Sequence, residues 1–298
     1  MRTSDLRSRL AGMHGSVREQ VPLAPYMHLR IGGPAEWFVE PFAEADVAMV
    51  VTACRDLDLP LRVLGGGSNV VVADAGVPGV VMHLASLNRM VRDGQRLTAG
   101  AGVTLPTLLR NTKEVGLAGL ERLTGIPAMV GGAVAMNAGT RDGETFDLLT
   151  SLTVVEPDGR IAVWGRDRFR QQYRDGGLAG AVALQATFEL TPDDPAAIFA
   201  RFSASLKKRN QSQPVSQRSV GCVFRNPSGD AAGRLIEQAG LKGTRQGGIE
   251  VSGLHANYFV NDGTGTAAAF VQLLQDVRAA VRSRFGVELE PEVKFWGG

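Results

Sequence analysis

Two glycine-rich segments limit the folds and ligands open to this chain, because glycine lets a backbone turn at positive φ and approach a ligand closely. The first reads Leu64-Gly65-Gly66-Gly67-Ser68-Asn69, and the second, residues 125–139, reads Gly-Ile-Pro-Ala-Met-Val-Gly-Gly-Ala-Val-Ala-Met-Asn-Ala-Gly. Successive amides in such loops point at one anion. Neither segment has the Gly-Lys-Ser/Thr ending of a Walker loop or the Rossmann Gly-x-Gly-x-x-Gly spacing. The pair predicts a large diphosphate cofactor held from two sides, which fits a flavin dinucleotide.

The charge and length of the chain favour a globular protein with no nucleic-acid partner. Its 298 residues are 44% hydrophobic and carry a formal net charge of only +2. A chain of this length holds two or three domains. The longest basic run is Lys207-Lys208-Arg209, which is too short to follow a polyphosphate backbone.

Neither a metal nor a membrane partner is predicted. Cys54 and Cys222 lack metal-ligand or redox spacing, the four histidines show no ligand pattern, and Cys54 falls in a helical pattern expected in the core. The first twenty residues lack the apolar stretch of a secretion signal. No apolar run approaches the roughly 20 residues that a membrane span needs. We therefore expect a cytoplasmic protein.

Hydrophobic periodicity predicts a mixed order of helices and strands. Helical spacing over residues 43–59 ends at Pro60, Pro157-Asp158-Gly159 predicts a hairpin turn, and Gly286 predicts a helix C-cap. The polar residues 191–195 are the best linker candidate. The predicted strands are 61–64, 70–73, 80–83, 96–99, 151–156, 160–164 and 181–190, and the other predicted helices are 104–115, 196–210, 231–239 and 266–285.

Three further segments carry side chains suited to chemistry. They are Tyr173-Arg174, residues 220–227 (Val-Gly-Cys-Val-Phe-Arg-Asn-Pro) and residues 289–295 (Leu-Glu-Pro-Glu-Val-Lys-Phe). Taken singly, each has an ordinary structural interpretation: a lone cysteine is more often a small core side chain, and an arginine or glutamate is more often an ion-pair residue. Only their joint occurrence with the glycine loops favours a catalytic interpretation.

These segments, in their order and spacing, resemble the UDP-N-acetylenolpyruvoylglucosamine reductases, the flavoenzymes of peptidoglycan precursor synthesis. The resemblance runs from residues 30–35 to the segment around Glu292, nearly the whole chain. The short interval after Tyr173-Arg174 is similar to the form of the enzyme that lacks an extra substrate-covering insertion. The other matching segments are 65–69, 119–121, 125–139, 224–227, 239–243 and 255–261.

The resemblance implies an α+β fold in three parts. Residues 1–85 and 86–192 would form a two-part FAD-binding region like that of vanillyl-alcohol oxidase, and residues 193–298 a smaller α+β substrate domain. FAD would bind without a covalent tether, NADPH would donate hydride, and a UDP-sugar would be the substrate. The oligomeric state stays open, with a monomer favoured. The implied cofactor-binding residues are Gly65, Gly66, Gly67, Ser68, Asn69, Gly125, Ile126, Pro127, Val130, Gly131, Ala133 and Asn137.

The resemblance also implies the catalytic residues. Hydride would reach the methylene carbon of an enolpyruvyl ether, and a proton would follow at the neighbouring carbon. Arg174 would hold the carboxylate as it becomes an enolate, and Glu292 would orient or polarise through a hydrogen bond. Cys222 stands where the family usually has a serine general acid; an ordinary thiol, with a pKa of about 8.5, is a better acid than an alcohol. Tyr173, Arg225 and Asn226 would contact substrate, with Arg225 in place of the usual lysine.

Two other functions remain open from the sequence. One is a different FAD-dependent oxidase or dehydrogenase of the same fold, although such enzymes commonly tether flavin through a histidine near the first glycine loop and none occurs there. The other is a flavin- or nucleotide-binding sensor without catalysis. A sensor would keep the loops but would have no need of an acid, an arginine and a carboxylate.

Overall fold

The computed structural model describes residues 2–297, with side chains from Asp5 onward. Met1 and Gly298, the outer limits of the predicted domains 1–85 and 193–298, lie outside the described residues. None of the helices within residues 2–297 combines the length and the apolar character that crossing a bilayer requires. In chain order the helices are α1 (Arg2–Arg9), α2 (Glu44–Asp56), α3 (Leu105–Glu114), α4 (Val130–Ala135), α5 (Pro195–Ser212), α6 (Ala232–Gln238) and α7 (Ala267–Phe285).

Strands make up the rest of the regular structure. In chain order they are β1 (Gly15–Pro22), β2 (Pro34–Pro41), β3 (Leu61–Leu64), β4 (Val70–Val72), β5 (Val77–His83), β6 (Met90–Asp93), β7 (Arg96–Gly100), β8 (Leu117–Ala118), β9 (Gly139–Thr140), β10 (Gly143–Glu144), β11 (Leu149–Val155), β12 (Ile161–Gly165), β13 (Val182–Glu189), β14 (Thr191–Pro192), β15 (Arg218–Cys222), β16 (Arg245–Gln246), β17 (Ile249–Val251), β18 (Tyr258–Asn261) and β19 (Lys294–Trp296).

Three larger sheets organise these strands. The first has the order β1-β2-β5-β3, and β3 and β5 run parallel with Leu61 opposite Val80. The second has the order β12-β11-β13-β7-β6 and its neighbours are antiparallel. The third has the order β15-β18-β17-β16 and is also antiparallel. Separately, β4 and β19 pair in parallel, with Lys294 opposite Val70.

The described chain forms two compact units, each built from several segments. The first unit comprises Met1–Glu19, Glu36–Gly66 and Gly79–Lys207, and the second comprises Gln20–Ala35, Gly67–Pro78 and Lys208–Gly298. The first unit contains two hydrophobic clusters, one around Trp37 and one around Phe188, and the second unit contains one around Phe270. The predicted three-part division at residues 85 and 192 stays a prediction.

The observed boundaries of the strongly periodic elements agree with the predicted boundaries to within a few residues. Thr104 precedes α3 and accepts a hydrogen bond from the amide of Thr107, as an N-cap does. Gly286 closes α7 in the left-handed conformation. Cys54 is buried in α2, and burial raises the pKa of its thiol to about 12. The sequence did not predict β1, because its residues are mostly polar and exposed and give no alternating pattern.

A distant carboxylate caps the start of α7. The Oδ1 atom of Asp74 accepts the amide of Ala267 at 2.9 Å, and its Oδ2 atom accepts the amide of Ala268 at 3.0 Å. Asp74→Ala should therefore lower the free energy of unfolding by about 1–2 kcal/mol. Chemical denaturation measures this difference. Asp276→Ala, which removes an exposed carboxylate from the same helix, is the control and should change stability by less than about 0.5 kcal/mol.

A second carboxylate makes the first sheet sensitive to pH. Burial alone would raise the pKa of Glu40, but hydrogen bonds from His83 and Arg18, with the Arg18 charge, outweigh it and lower the pKa. A lowered pKa stabilises the fold fully above the ordinary value of 4.5, and this contribution is lost as pH falls through the lowered pKa. Glu40→Gln should therefore melt a few degrees lower near pH 7, and the gap should close in acid. An equal gap at both pH values would contradict this.

Candidate active site

The two glycine-rich loops meet within the first unit. A methyl group on Gly65 would lie 3.5 Å from the amide nitrogen of Gly132, and one on Gly66 would lie 3.2 Å from the carbonyl oxygen of Pro127 and 3.5 Å from the amide nitrogen of Met129. The backbones of the two loops therefore lie close together, and the tightest approach is at Gly66.

This contact leaves backbone donors available. Across the described chain, the amides of Gly65, Gly66 and Met129 donate no hydrogen bond. Unpaired amides that lie close together suit an anion such as a diphosphate. The residues present therefore fit the cofactor class predicted from the sequence.

Other parts of the second loop are committed to the protein interior. Val130 and Ala133 are 1% exposed, and their amides donate to Val103 and Met129. The amide of Gly131 donates to Ala101, and a methyl group on Gly131 would lie 2.9 Å from the Ala101 side chain. These positions build the loop against its neighbours. Direct contacts of Gly125, Ile126, Pro127, Val130, Gly131 and Ala133 with a cofactor stay predictions.

Arg174 lies at the tip of a tight turn near the second loop. Gln172 and Asp175 exchange two backbone hydrogen bonds, of 2.7 and 3.1 Å, across Tyr173-Arg174. Arg174 has a φ of 57°, a conformation that costs a non-glycine residue about 1–3 kcal/mol. Its Nη2 atom donates to the carbonyl of Gly139 at 3.4 Å. Backbone strain of this kind is found often at functional positions.

Asn137 links that turn to the second loop. Its side chain is buried, and Nδ2 donates to Glu144 Oε2 at 2.6 Å and to the carbonyl of Gln172 at 3.3 Å. Its Oδ1 atom accepts the amide of Phe146 at 3.3 Å. Asn137 therefore positions the Arg174 turn. The ring of Tyr173 is 48% exposed, and its centroid lies 4.9 Å from the Arg174 guanidinium carbon.

Within the second unit, Cys222 and Glu292 lie on neighbouring segments. Cys222 ends β15, and the carbonyl of the next residue, Val223, accepts the amide of Glu292 at 2.8 Å. The amide of Arg225 donates to the carbonyl of Glu290 at 2.9 Å. The residue that follows Cys222 is thus bonded to Glu292, which lies 70 positions after Cys222 in the chain.

A buried asparagine fixes the backbone just after Cys222. The Oδ1 atom of Asn257 accepts the amide of Phe224 at 2.9 Å, and its Nδ2 atom donates to the carbonyl of Phe224 at 2.8 Å. Asn226 also binds backbone, since its Oδ1 atom accepts a hydrogen bond from the amide of Ala232 at 3.0 Å, where α6 begins. Sequence reasoning did not identify Asn257 as a support. Its place in the matching segment 255–261 is the only signal that could have found it.

The end of the first glycine loop belongs to the second unit. Asn69 Nδ2 donates to the carbonyl of Glu292 at 3.3 Å, and the carbonyl of Asn69 accepts the amide of Lys294 at 3.0 Å. Gly67 has a φ of 63°, and a methyl group there would lie 2.2 Å from the carbonyl oxygen of Tyr26. The carbonyl of Gly67 accepts the amide of His28, whose pKa is lowered by burial and by Arg30. Contacts of Gly67, Ser68 and Asn69 with a cofactor stay predictions.

Comparison with known proteins decides the family. Residues 213–296 match the family described as "UDP-N-acetylenolpyruvoylglucosamine reductase, C-terminal domain". The protein of that name from Moorella thermoacetica is 41% identical over 96% of this chain and 95% of its own length. This chain is a member of the UDP-N-acetylenolpyruvoylglucosamine reductase family. The reductase of the same name from Rubrobacter xylanophilus is 44% identical over 93% of this chain and 94% of its own length.

Structural comparison supports membership in the reductase family and the predicted fold class. The UDP-N-acetylenolpyruvylglucosamine reductase of Thermus caldophilus superposes with a TM-score of 0.82 at 36% identity, over 96% of this chain and all of that one. Residues 35–165 match a family described as "FAD binding domain". A variant of berberine bridge enzyme, at 17% identity and a TM-score of 0.51, shares the fold over 64% of this chain and 44% of its own. The α+β class with an FAD-binding region is confirmed.

Proposed function

We infer that this chain reduces the enolpyruvyl ether of UDP-N-acetylglucosamine to UDP-N-acetylmuramate, using FAD and NADPH, in peptidoglycan precursor synthesis. The observation that carries the inference is likeness to curated reductases of that name over almost the whole length of both proteins. The glycine loops of the first unit fit the flavin diphosphate. A cytoplasmic location and a monomeric state stay predictions.

The chain supplies the binding and proton chemistry around the cofactor. When bound and reduced by NADPH, FAD supplies the hydride that adds to the methylene carbon of the substrate. The amides of Gly65, Gly66 and Met129 would hold its diphosphate. Sequence resemblance extends the proposed contacts to the remaining positions of the two loops.

Arg174 is proposed to bind the substrate carboxylate. Hydride addition makes the neighbouring carbon electron-rich, and the charge spreads onto that carboxylate as an enolate. A guanidinium that is already held in place stabilises this charge without reorganising during the reaction. The turn that fixes Arg174, braced by Asn137, provides such preorganisation.

Cys222 is proposed as the general acid and Glu292 as its neighbour in the site. The thiol gives its proton to the carbon next to the carboxylate, which leaves a thiolate and completes the lactyl ether. Glu292 is proposed to orient the reacting groups through a hydrogen bond. A direct contact with the enolate is not proposed, because a bare carboxylate would repel it. The backbone bond from Glu292 to Val223 supports these paired roles. Tyr173, Arg225 and Asn226 are proposed as substrate contacts.

The test measures turnover and product together. Purified protein should consume NADPH only when the enolpyruvyl ether is present, and mass spectrometry should find a product heavier by two hydrogen atoms. Consumption that continues with oxygen alone would instead favour an oxidase of the same fold. No consumption under either condition, with flavin bound, would favour a sensor.

The loop contact gives a separate test of the flavin site. Gly66→Ala places a methyl group 3.2 Å from Pro127 and should weaken FAD binding about tenfold, equal to about 1.4 kcal/mol. Flavin absorbance per protein and a titration of the flavin-free protein measure this. Gly12→Ala, whose methyl group would meet no atom closer than 3.9 Å, is the control. Equal affinities for both variants would remove the first loop from the flavin site.

A further inference from the structure

The phenol of Tyr258 lies beside Cys222 in the third sheet. Cys222 on β15 stands directly opposite Tyr258 on β18, and directly opposed residues place their side chains on the same face. The register between these strands shifts between Ser219 and Cys222, a stretch that includes Gly221 with a φ of 76°. The irregularity ends at the cysteine, so the side chain facing Tyr258 is the thiol.

Tyr258 is buried, with 6% of its surface exposed, and its hydroxyl has three polar neighbours. The hydroxyl donates to Gln213 Oε1 at 3.0 Å. Burial and the Cys222 charge raise the pKa of the phenol and the Arg209 charge opposes them, so the thiol and the guanidinium lie close to the hydroxyl. A phenol has one proton to donate and lone pairs to accept with. While the hydroxyl donates to Gln213, its oxygen lone pairs can accept hydrogen bonds from the arginine and from the thiol S–H.

We propose that Tyr258 is a positioning residue for Cys222. At rest its hydroxyl accepts a hydrogen bond from the thiol, and after the thiol has given its proton to the substrate the hydroxyl turns from Gln213 and donates to the thiolate. The inference rests on the proposed role of Cys222 as the general acid. No covalent step is added, because the proton passes from sulfur to the substrate carbon and the phenol keeps its own. Until the thiolate forms, the phenol donates its hydrogen bond to Gln213.

The phenol interacts more strongly with the thiolate than with the thiol. A thiol is a weak donor, so its resting bond to the phenol contributes little. A phenol donating to a thiolate makes a charge-assisted hydrogen bond, which is about twice as strong as a neutral one. The raised pKa of Tyr258, caused first by burial and then by the Cys222 charge, keeps the phenol protonated for this task.

Other ionisable groups come from the segments around the pair. Arg209 comes from α5, and the ring of His255 lies 4.9 Å from the Tyr258 ring between centroids. Glu292 comes from the segment bonded to Val223. None of these residues is changed in the variants below, so differences between variants report on the phenol and its acceptor.

The experiment measures the pH dependence of Cys222 alkylation by iodoacetamide in the flavin-bound protein. Cys54 is buried and its thiol has a pKa of about 12, so it does not compete. Tyr258→Phe should raise the apparent pKa of Cys222 by about one pH unit. Gln213→Leu should lower it, because the phenol then has no competing acceptor and donates to sulfur. A purely structural role would not move the two variants in opposite directions.

Kinetics complete the test. Tyr258→Phe should slow reoxidation of the flavin by substrate about tenfold, with reduction by NADPH unchanged, and should have no further effect in the Cys222→Ala protein. If Tyr258→Phe shows the alkylation pKa and the reoxidation rate of the wild type while Cys222→Ala is slow in reoxidation, the role of Tyr258 is overturned and the proposed function stays intact. A fully active Cys222→Ala enzyme would overturn both the acid role and this inference.

Discussion

Cys222→Ala should slow the substrate-dependent half of the reaction by about 10²–10⁴-fold while leaving flavin reduction by NADPH unchanged. The alanine has no proton to give, so the enolate must be protonated by water. Cys222 is half-buried at the end of β15, and its segment is fixed by Asn257 and by the amide of Glu292. Anaerobic stopped-flow measurement of the two half-reactions separates the effect.

Cys222→Ser is the matched variant. Serine is the general acid that the family resemblance implies for this position, so most of the activity lost in the alanine variant should return. An alanine variant as fast as the wild type would show that Cys222 does not donate the proton. A serine variant as slow as alanine would show that the site requires a thiol.

Arg174→Ala should lower kcat/KM for the enolpyruvyl ether by about 10²–10³-fold, because the guanidinium is proposed to stabilise the additional negative charge that the carboxylate gains as it becomes an enolate. Arg174→Lys should recover part of this loss, since an ammonium keeps the charge but cannot bind a carboxylate through two parallel hydrogen bonds. Steady-state kinetics measures both variants. Most of the loss should fall on kcat.

A neighbouring arginine provides the control for charge. Arg170 donates to the carbonyls of Asp167 and Phe169 and is exposed. Arg170→Ala removes the same charge from the same stretch and should leave kcat within about twofold of the wild type. Equal losses in both variants would show that general electrostatics, and not a contact made by Arg174, accounts for the effect.

Local signals in the sequence predicted most of the longer helices and part of the strands. Helices α3 and α7 carry caps that are encoded within a few residues, Thr104 for one and Gly286 for the other. The hairpin of β11 and β12 follows from Pro157-Asp158-Gly159, where Gly159 has a φ of 90°. These elements depend on interactions between close neighbours in the chain, which periodicity and turn chemistry report directly.

These local signals did not predict contacts between residues that are far apart in the chain. Asp74 caps a helix that begins 193 residues later, and Asn69 bonds to Glu292 across 223 residues. The second unit recruits Gln20–Ala35 and Gly67–Pro78, which no change in composition marks. Such contacts depend on how elements pack. A single sequence states which residues are apolar, but it does not state which distant partner each one meets.

The candidate site shows the same division. Family resemblance predicted Arg174, Cys222 and Glu292 as catalytic residues, whereas the residues that contact their segments are visible only in the structure. Asn137 was predicted as a cofactor contact, and the structure shows its side chain bonded to Glu144 and to the Arg174 turn. Its contact with a cofactor stays a prediction.

The most direct test of the proposed function is an anaerobic titration followed by visible absorbance. The purified protein should be yellow, NADPH should bleach it, and the enolpyruvyl ether of UDP-N-acetylglucosamine should restore the colour in proportion to the amount added. Restoration by oxygen but not by that ether would contradict the reductase function. A colourless protein that FAD does not reconstitute would contradict the flavin site formed by the two glycine loops.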